Sequence, residues 1–278
     1  MRKIALLTHE WREDALCRAA SAKDRLTSAG IDVVDAQYTS DVVDAELLLV
    51  AGGDGTILRG AELTRGTQVP ILGINFGHVG FLAEAEPSSM DEVITDVIEH
   101  RWSVEDRMTL DLDITLVNGQ VIHEWAVNEA SIEKAHNART INLGMGVDGR
   151  GLSTYNADAA LISTPTGSTA YNFSAQGPIV WPDVEAMIFN PIAAHALFTR
   201  PLVVGPNSVI QVQVYSQNAI IWCDGRRFID LGDGAQIEAR HSSERVYLAR
   251  LNDSPFSSRL VRKFHLPVSG WRSINTDD

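Results

Sequence analysis

The chain contains very little cysteine. Its 278 residues include only Cys17 and Cys223, and neither lies in a C-x-x-C pair or beside clustered histidines. A disulfide-stapled scaffold and a zinc site therefore have no support in the sequence. The eight histidines show no H-x-x-x-H or H-E-x-x-H spacing, so we assign no metal ligand. Because cysteine is scarce, we expect a reducing, cytoplasmic compartment.

Positive charge is also scarce. The sequence has 23 lysines and arginines against 36 aspartates and glutamates, which gives a formal net charge of -13 at pH 7. This balance disfavours a general binder of nucleic acid or acidic membranes, so any anionic ligand must be held by local geometry. No apolar run approaches the roughly 20 residues that a membrane-spanning helix needs. We therefore expect neither nucleic acid nor a membrane among the partners.

Up to about residue 107, strand-like and helix-like segments alternate. We predict strands at Lys3–Thr8, Ile31–Val34, Leu47–Ala51 and Val69–Ile74, and helices over about Arg12–Ala29, after Gly55 and over Ser89–His100. Such alternation favours a mostly parallel sheet covered by helices, a Rossmann-like α/β domain.

From residue 108 the hydrophobic period changes to two. Met108, Leu110, Leu112, Ile114 and Leu116 alternate with polar residues, as in half-buried antiparallel strands. Four hairpin-type dipeptides follow, at 118–119, 148–149, 224–225 and 233–234. We therefore predict an α/β domain over residues 1–107 and a β-rich, β-sandwich-like domain over 108–254. The tail at 255–278 is too short to be a domain and must pack on one of the two.

Three glycines surround a single carboxylate in Gly52-Gly53-Asp54-Gly55-Thr56, between a buried strand and a helix. We expect residues 52–55 to lie on the connecting turn. Glycines allow the main chain to approach a phosphate and to direct N–H groups at it, whereas a carboxylate there makes sense if it accepts a proton from an attacking hydroxyl. The alternative is a plain tight turn, since Asp-Gly is a common turn dipeptide. The segment suggests phosphoryl transfer without a P-loop, because the sequence G-x-x-x-x-G-K-S/T is absent.

A hydroxyl-rich stretch runs from Ser163 to Ile179 and contains Tyr171 and Phe173. Hydroxyls and free N–H groups suit ribose and amide recognition, and Tyr171 can stack on a base. A polar loop without a ligand is the alternative. Residues Gly144, Gly146 and Gly149 match G-x-G-x-x-G, but no helix is predicted after them, so the dinucleotide fingerprint fails on context.

Together these motifs resemble the NAD kinase family over most of the chain. The residues that carry the resemblance are Gly52–Thr56, Asn75–Leu82, Asn128-Glu129, Thr164–Tyr171, His195, Arg200-Pro201 and Asp224-Gly225. The first motif alone is shared with diacylglycerol-type lipid kinases and phosphofructokinases, whereas the threonine-rich segment is much more specific.

The resemblance implies transfer of a phosphoryl group from ATP or inorganic polyphosphate to the 2′-hydroxyl of the adenosine ribose of NAD, giving NADP. Asp54 would be the catalytic base, and Mg²⁺ or another divalent cation would arrive with the phosphoryl donor. The substrate- and nucleotide-binding residues would be Gly52, Gly53, Gly55, Thr56, Arg59, Phe81, Asn128, Glu129, Arg139, Asp158, Thr166, Thr169, Ala170, Tyr171, Asn172, Phe173, Ser174 and Asp224. Members of the family are usually cytoplasmic homo-oligomers, tetramers or dimers, and their chain end returns to the first domain.

The sequence departs from the family pattern at two positions. Ala159 and Gln176 stand where the family usually has glycine. A replacement is strained wherever the backbone has a positive φ.

Two other functions compete with this assignment. A diacylglycerol-type lipid kinase shares the glycine-aspartate motif, but the sequence offers no basic or apolar membrane-facing surface. A non-catalytic dinucleotide-binding sensor would keep the threonine-rich segment but would not need Asp54.

Overall fold

The computed structural model describes residues 1–8, 13–75, 80–83, 90–135, 138–196, 199–252 and 254–268. The predicted helix start at Arg12, the helix start at Ser89, the motif residues 76–79 and the chain end at 269–278 lie outside these ranges. The chain divides into two compact units, Met1–Glu105 with the chain from Leu248 onward, and Asp106–Tyr247.

The elements alternate in the first part of the chain and are almost all strands afterwards. The first part contains β1 (Lys3–Thr8), α1 (Glu13–Ser28), β2 (Asp32–Asp35), α2 (Thr39–Val42), β3 (Leu47–Ala51), α3 (Asp54–Thr64), β4 (Ile71–Ile74) and α4 (Met90–Ile98). The rest contains β5 (Ser103–Thr115), β6 (Val121–Ala126), β7 (Glu129–Lys134), β8 (Ile141–Val147), β9 (Arg150–Ala157), β10 (Ala159–Ser163), α5 (Tyr171–Ser174), β11 (Met187–Ile192), β12 (Leu202–Val204), β13 (Ile210–Val214), β14 (Ala219–Cys223), β15 (Arg227–Leu231), β16 (Gln236–Arg250) and α6 (Phe256–Phe264).

A parallel sheet forms the centre of the first unit. Its strands follow the order β2-β1-β3-β4, and β4 pairs in turn with the end of β16 through Ile71 and Leu248. Every residue of β3 and β4 is buried, as expected for strands covered by helices. The buried faces of α1 and α4 join this core. The predicted parallel α/β sheet is confirmed.

Helix α3 begins earlier than the sequence analysis predicted. The carbonyl of Gly53 accepts the amides of Thr56 and Ile57 at 2.9 and 3.1 Å, so Gly53 is the N-cap and Asp54 the first helical residue. The expectation that Asp54 and Gly55 lie on a turn was therefore wrong, because the backbone hydrogen bonds already place them in the first helical turn. Asp54 thus sits at the positive end of the helix dipole.

Two antiparallel sheets form the second unit. One has the strand order β12-β11-β10-β7-β14-β15. In the other, β13 lies between β8 and β16, β9 pairs with β8, and β6 pairs with β5. One hydrophobic cluster contains residues of both sheets, including Leu110, Ile132, Leu143 and Ile221. This arrangement confirms the predicted β-rich, sandwich-like fold.

The four predicted hairpin dipeptides all connect consecutive strands. At two of them, both residues have positive φ: 54° and 75° at Asp148-Gly149, and 54° and 62° at Asp224-Gly225. Such pairs match the tight turns that join right-twisted strands. Gly149 leads directly into β9, so the rejection of the dinucleotide fingerprint is also confirmed.

The two departures from the family pattern differ in backbone conformation. Gln176 has a φ of 58°, so the expected strain is present there. Ala159 lies in β10, opposite Ile192 and Glu133, and is not among the described residues with positive φ. The replacement at 159 therefore causes no strain of this kind.

Among the helices of the described ranges, none combines the length and apolar character needed to cross a bilayer.

Candidate active site

The carboxylate of Asp54 is held by two backbone amides. The amide of Phe81 donates to Oδ2 at 3.0 Å and the amide of Leu82 donates to Oδ1 at 3.3 Å. Hydrogen bonds from backbone amides to a carboxylate are charge-assisted and directional, so they fix the orientation of the group. Asp54 as a whole is only half-buried, so the residue is not closed off from a ligand.

Gly80 packs directly against this carboxylate. A Cβ built on Gly80 would lie 2.1 Å from Oδ1 of Asp54, closer than non-bonded atoms approach. An alanine at position 80 would therefore have to displace either the Asp54 carboxylate or segment 80–82. The sequence analysis assigned a role here to Phe81 alone, since a motif does not show which backbone groups face a side chain.

The glycines before the helix have separate structural reasons. A Cβ on Gly52 would lie 2.4 Å from Oγ1 of Thr56, whereas Gly55 is exposed and a Cβ there would meet nothing within 4 Å. Gly52 therefore permits the tight start of the helix, and Gly55 leaves open space beside Asp54. Main-chain N–H groups at an open helix N-terminus are suited to bind phosphate.

The side chain of Arg59 contacts residues other than Asp54. Its guanidinium pairs with Glu62 at 2.8 Å and donates to the carbonyl of Gln37 at 3.2 Å. Among the described residues no contact joins it to Asp54. The structure therefore favours a structural ion pair over the predicted phosphate contact.

In the second unit, Asp224 organises the start of β7. Its carboxylate accepts the amides of Val127 at 2.9 Å and Asn128 at 2.7 Å, and its own amide donates to the carbonyl of Glu129 at 2.9 Å. Asp224, Asn128 and Glu129 are all buried. The structure thus brings together three residues that the sequence analysis could only describe as near strand ends.

The threonine-rich segment is attached to the same backbone. The carbonyl of Asn128 accepts the amide of Thr164 at 2.9 Å, and the carbonyl of Val127 accepts its hydroxyl at 2.5 Å. A Cβ on Gly167 would lie 2.0 Å from the carbonyl oxygen of Asn128. Glycine at 167 is therefore required for the segment to pack against residues 127–128.

Most of the hydroxyls in this segment point inward. Ser163, Thr164, Ser168 and Thr169 each donate to a backbone carbonyl of the protein. Buried hydroxyls need such partners, so those of Ser163, Thr164 and Ser168 shape the segment, whereas Thr169 is only half-buried. The expected loop is also partly helical, with a 3₁₀ turn at Gly167–Thr169 followed by α5. Thr166 is buried at the start of this turn.

Helix α5 carries one buried side chain, that of Asn172, and two exposed aromatic rings, those of Tyr171 and Phe173. Asn172 is fully buried, donates to the carbonyl of Pro178 and accepts from Asn190, both at 3.0 Å. Tyr171 and Phe173 are 38% and 39% exposed. Their rings are therefore accessible to a ligand, whereas the amide of Asn172 is used to hold the helix. Ala170 is the N-cap of this helix and Ser174 its last residue.

Carboxylates surround Tyr171. Its backbone amide acts to lower the pKa of the Glu129 carboxyl group, against the larger effect of burial. Burial, followed by the charges of Glu133, Glu129 and Asp158, raises the pKa of its phenol. Asp158 also forms an ion pair with Lys134 at 2.6 Å. Lys134 donates in turn to the carbonyl of Arg139, whose side chain is exposed.

Glu129 is a buried acid of the second unit whose pKa is strongly raised. Burial, and next the neighbouring Asp224, raise its pKa to about 8. Burial raises the pKa of Asp224 as well, but two amide donors and Arg227 at 3.7 Å favour the charge there. The charge of Asp224 therefore adds to the effect of burial on the pKa of Glu129. Its Oε2 is buried without a hydrogen-bond partner in the described structure, as expected for a group that a ligand completes.

We predict that Glu129 makes the stability of the free protein depend on pH. Between its ordinary pKa of 4.5 and about 8, the folded protein retains a proton that the unfolded chain has released. Stability should therefore fall as the pH rises through this window, by at most about 1.4 kcal/mol per pH unit for one proton. Chemical denaturation at several pH values should show a flatter dependence for Glu129→Gln than for the wild type. The exposed Glu244→Gln serves as the control, and an unchanged slope in Glu129→Gln would contradict the assignment.

Two family models match most of the chain. The model of the ATP-NAD kinase N-terminal domain matches residues 5–102, and that of the ATP-NAD kinase C-terminal domain matches residues 127–251. NAD kinase 2 of Streptomyces avermitilis is 50% identical over 292 residues, with 98% of this chain and 97% of the relative covered. The NAD kinase of Thermobifida fusca is 44% identical over 300 residues, with 98% and 91% covered.

Solved structures agree with these matches. The NAD kinase from Archaeoglobus fulgidus in complex with ATP aligns with a TM-score of 0.78 at 26% identity, covering 95% of this chain and 100% of that one. Yeast NADH kinase complexed with NADH shares the fold with a TM-score of 0.88 at 22% identity, over 97% and 89% of the two chains. On the strength of the two domain models and the near full-length relatives, the chain belongs to the NAD kinase family.

Proposed function

We propose that Asp54 is the general base of the phosphoryl transfer from ATP to NAD. The reaction itself, which gives NADP and makes the chain a phosphotransferase, follows from membership of the family. Membership also decides against the diacylglycerol-type lipid kinase. The acceptor that we propose is the 2′-hydroxyl of the adenosine ribose.

One observation supports the base assignment above all others. The carboxylate of Asp54 is oriented by the amides of Phe81 and Leu82, and the residue as a whole is only half-buried. A carboxylate is a far weaker base than the alkoxide that it would generate. It can therefore take the proton only as the 2′-oxygen bonds to phosphorus, and this requires accurate placement.

The surroundings of Asp54 suit the phosphates of the donor. The open space at Gly55 and the N-terminus of α3 offer N–H groups and a positive dipole end, which offset the repulsion between carboxylate and phosphate. Phosphate oxygens are ligands that Mg²⁺ prefers, so we propose that the divalent cation enters on ATP, where it neutralises developing charge.

The second unit binds the dinucleotide in this proposal. Tyr171 and Phe173 present exposed rings, and Glu129 offers a buried oxygen that lacks a partner in the described structure. Asp158 adds a half-exposed carboxylate near Tyr171. Aromatic rings stack on bases, and carboxyl groups bind ribose hydroxyls. We propose that the two compact units are the two domains and that the enzyme works in the cytoplasm, where ATP and NAD are available.

We predict that Asp54→Asn lowers kcat by about 10²- to 10⁴-fold, the usual contribution of a general base, while NAD affinity changes little. Asparagine keeps the shape of the side chain but cannot accept the proton. The enzyme would be incubated with Mg-ATP and NAD, and NADP would be measured by a coupled dehydrogenase.

Two control variants make this experiment specific. Asp44→Asn makes the same change at an exposed position of the same unit and should leave kcat unchanged. Tyr171→Ala should weaken NAD binding roughly tenfold or more in calorimetry, because stacking contributes about 1 to 3 kcal/mol per base. Near-normal kcat in Asp54→Asn, with wild-type contamination excluded, would refute the base role and would leave residues 52–55 with phosphate binding alone.

We further predict a homo-oligomer, a tetramer or a dimer. Strands β12 and β15 lie at the two ends of the six-stranded sheet and leave backbone groups unpaired within it. Natural proteins commonly cover such edges. Light scattering at micromolar concentration should give a multiple of 30.4 kDa, and a monomer of that mass would disprove the prediction.

A further inference from the structure

Arg250 is a buried cation next to the segment that orients Asp54. Its side chain is 1% exposed, and its Nε donates to Oε2 of Glu105 at 3.0 Å. Its Nη1 donates to the carbonyl of Leu82 at 3.2 Å. Burial of a guanidinium is costly unless its donors are satisfied, so these contacts are strongly constrained.

The contacts of Leu82 connect Arg250 with Asp54. The carbonyl of Leu82 accepts from Arg250, and the amide of the same residue donates to Asp54. A shift of this carbonyl would therefore change the path of the backbone that holds the carboxylate.

A second support acts on the neighbouring residue. The ring of Phe81 lies 6.0 Å from that of Phe256 and 5.7 Å from that of Phe264, both in α6, measured between ring centroids. Tilted aromatic pairs at this separation are attractive and restrict ring position. The end of the chain thus contacts segment 80–82 through the rings of α6 as well as through Arg250.

We propose that Arg250 is a positioning residue for Asp54, acting through the backbone of Leu82. The proposal rests on the proposed role of Asp54 as the base. Arg250 does not touch the substrate in this account. It fixes the peptide whose amide orients the carboxylate, and its loss should lower the rate of proton removal without removing a contact to NAD.

The test is a double-mutant cycle. Arg250→Lys keeps the charge but cannot reach two partners with a planar fork, so it should displace segment 80–82 slightly. In the wild-type background we expect the single-turnover rate of NADP formation, measured with enzyme in excess, to fall about tenfold to a hundredfold, while the Kd for NAD stays within about threefold. In the Asp54→Asn background the same substitution should change the rate by less than about threefold, because the group that it positions is already inactive.

Arg2→Lys is the matched control. Arg2 also joins a carboxylate, Glu46, to backbone carbonyls, those of Val97 and Ile98. Arg2 precedes β1, whereas Asp54 follows β3, which runs parallel to β1. The two residues therefore lie at opposite ends of these strands. This substitution should leave the single-turnover rate unchanged, and because the side chain of Arg2 is 35% exposed it should lower thermal stability less than Arg250→Lys does.

The outcomes separate the alternatives. An equal drop in both backgrounds would mean that Arg250 supports the fold in general, and an unchanged rate in the wild-type background would mean that it positions nothing; either result overturns the proposal. A normal rate in Asp54→Asn alone would instead refute the base role, and this inference with it.

If Arg250→Lys does not fold, Glu105→Gln replaces it in the same cycle, since it leaves Arg250 present but weakens the bond that orients the guanidinium. For Glu105→Gln we expect a smaller drop in the single-turnover rate than for Arg250→Lys, and no drop in the Asp54→Asn background. An equal drop in both backgrounds, or no drop in the wild-type background, would overturn the proposal.

Discussion

The two amide hydrogen bonds to Asp54 are the contacts on which the rest of the site in the first unit depends. They join the first turn of α3 to segment 80–82, and a Cβ at position 80 would displace the carboxylate from this position. Arg250 fixes the same segment from its carbonyl side. A weak base is effective only when its geometry is set before the reaction, so these contacts suit the role that we propose for Asp54.

In the second unit, backbone amides also hold an aspartate, Asp224, but there they shape the chain. Asp224 also accepts two backbone amides, those of Val127 and Asn128, but it is buried, so its charge is used to shape the chain. The peptide fixed in this way supports the threonine-rich segment through Thr164 and Gly167. The same arrangement leaves Glu129 in a buried, negatively charged setting, which explains its raised pKa and its retained proton.

The sequence predicts the architecture well because periodicity and turn residues are local signals. The apolar run of β3, the alternation in β5 and the hairpins at Asp148-Gly149 and Asp224-Gly225 all lie where the pattern places them. Long-range partners are not local. Sequence alone could not show that Arg250 would be buried against Leu82. It also could not show that the hydroxyl of Thr164 would face the protein rather than a ligand, because both depend on which distant backbone groups the fold brings near.

The central claim is that the fixed orientation of the Asp54 carboxylate sets the rate of phosphoryl transfer, and Gly80→Ala tests it most directly. The added methyl group would lie 2.1 Å from Oδ1 of Asp54 and must displace it, whereas Gly205→Ala places a methyl group in open space. With Mg-ATP and NAD, we expect the single-turnover rate of Gly80→Ala to fall about 10- to 100-fold while NAD affinity stays within about threefold and Gly205→Ala behaves as the wild type. A wild-type rate in a folded Gly80→Ala enzyme would contradict the account.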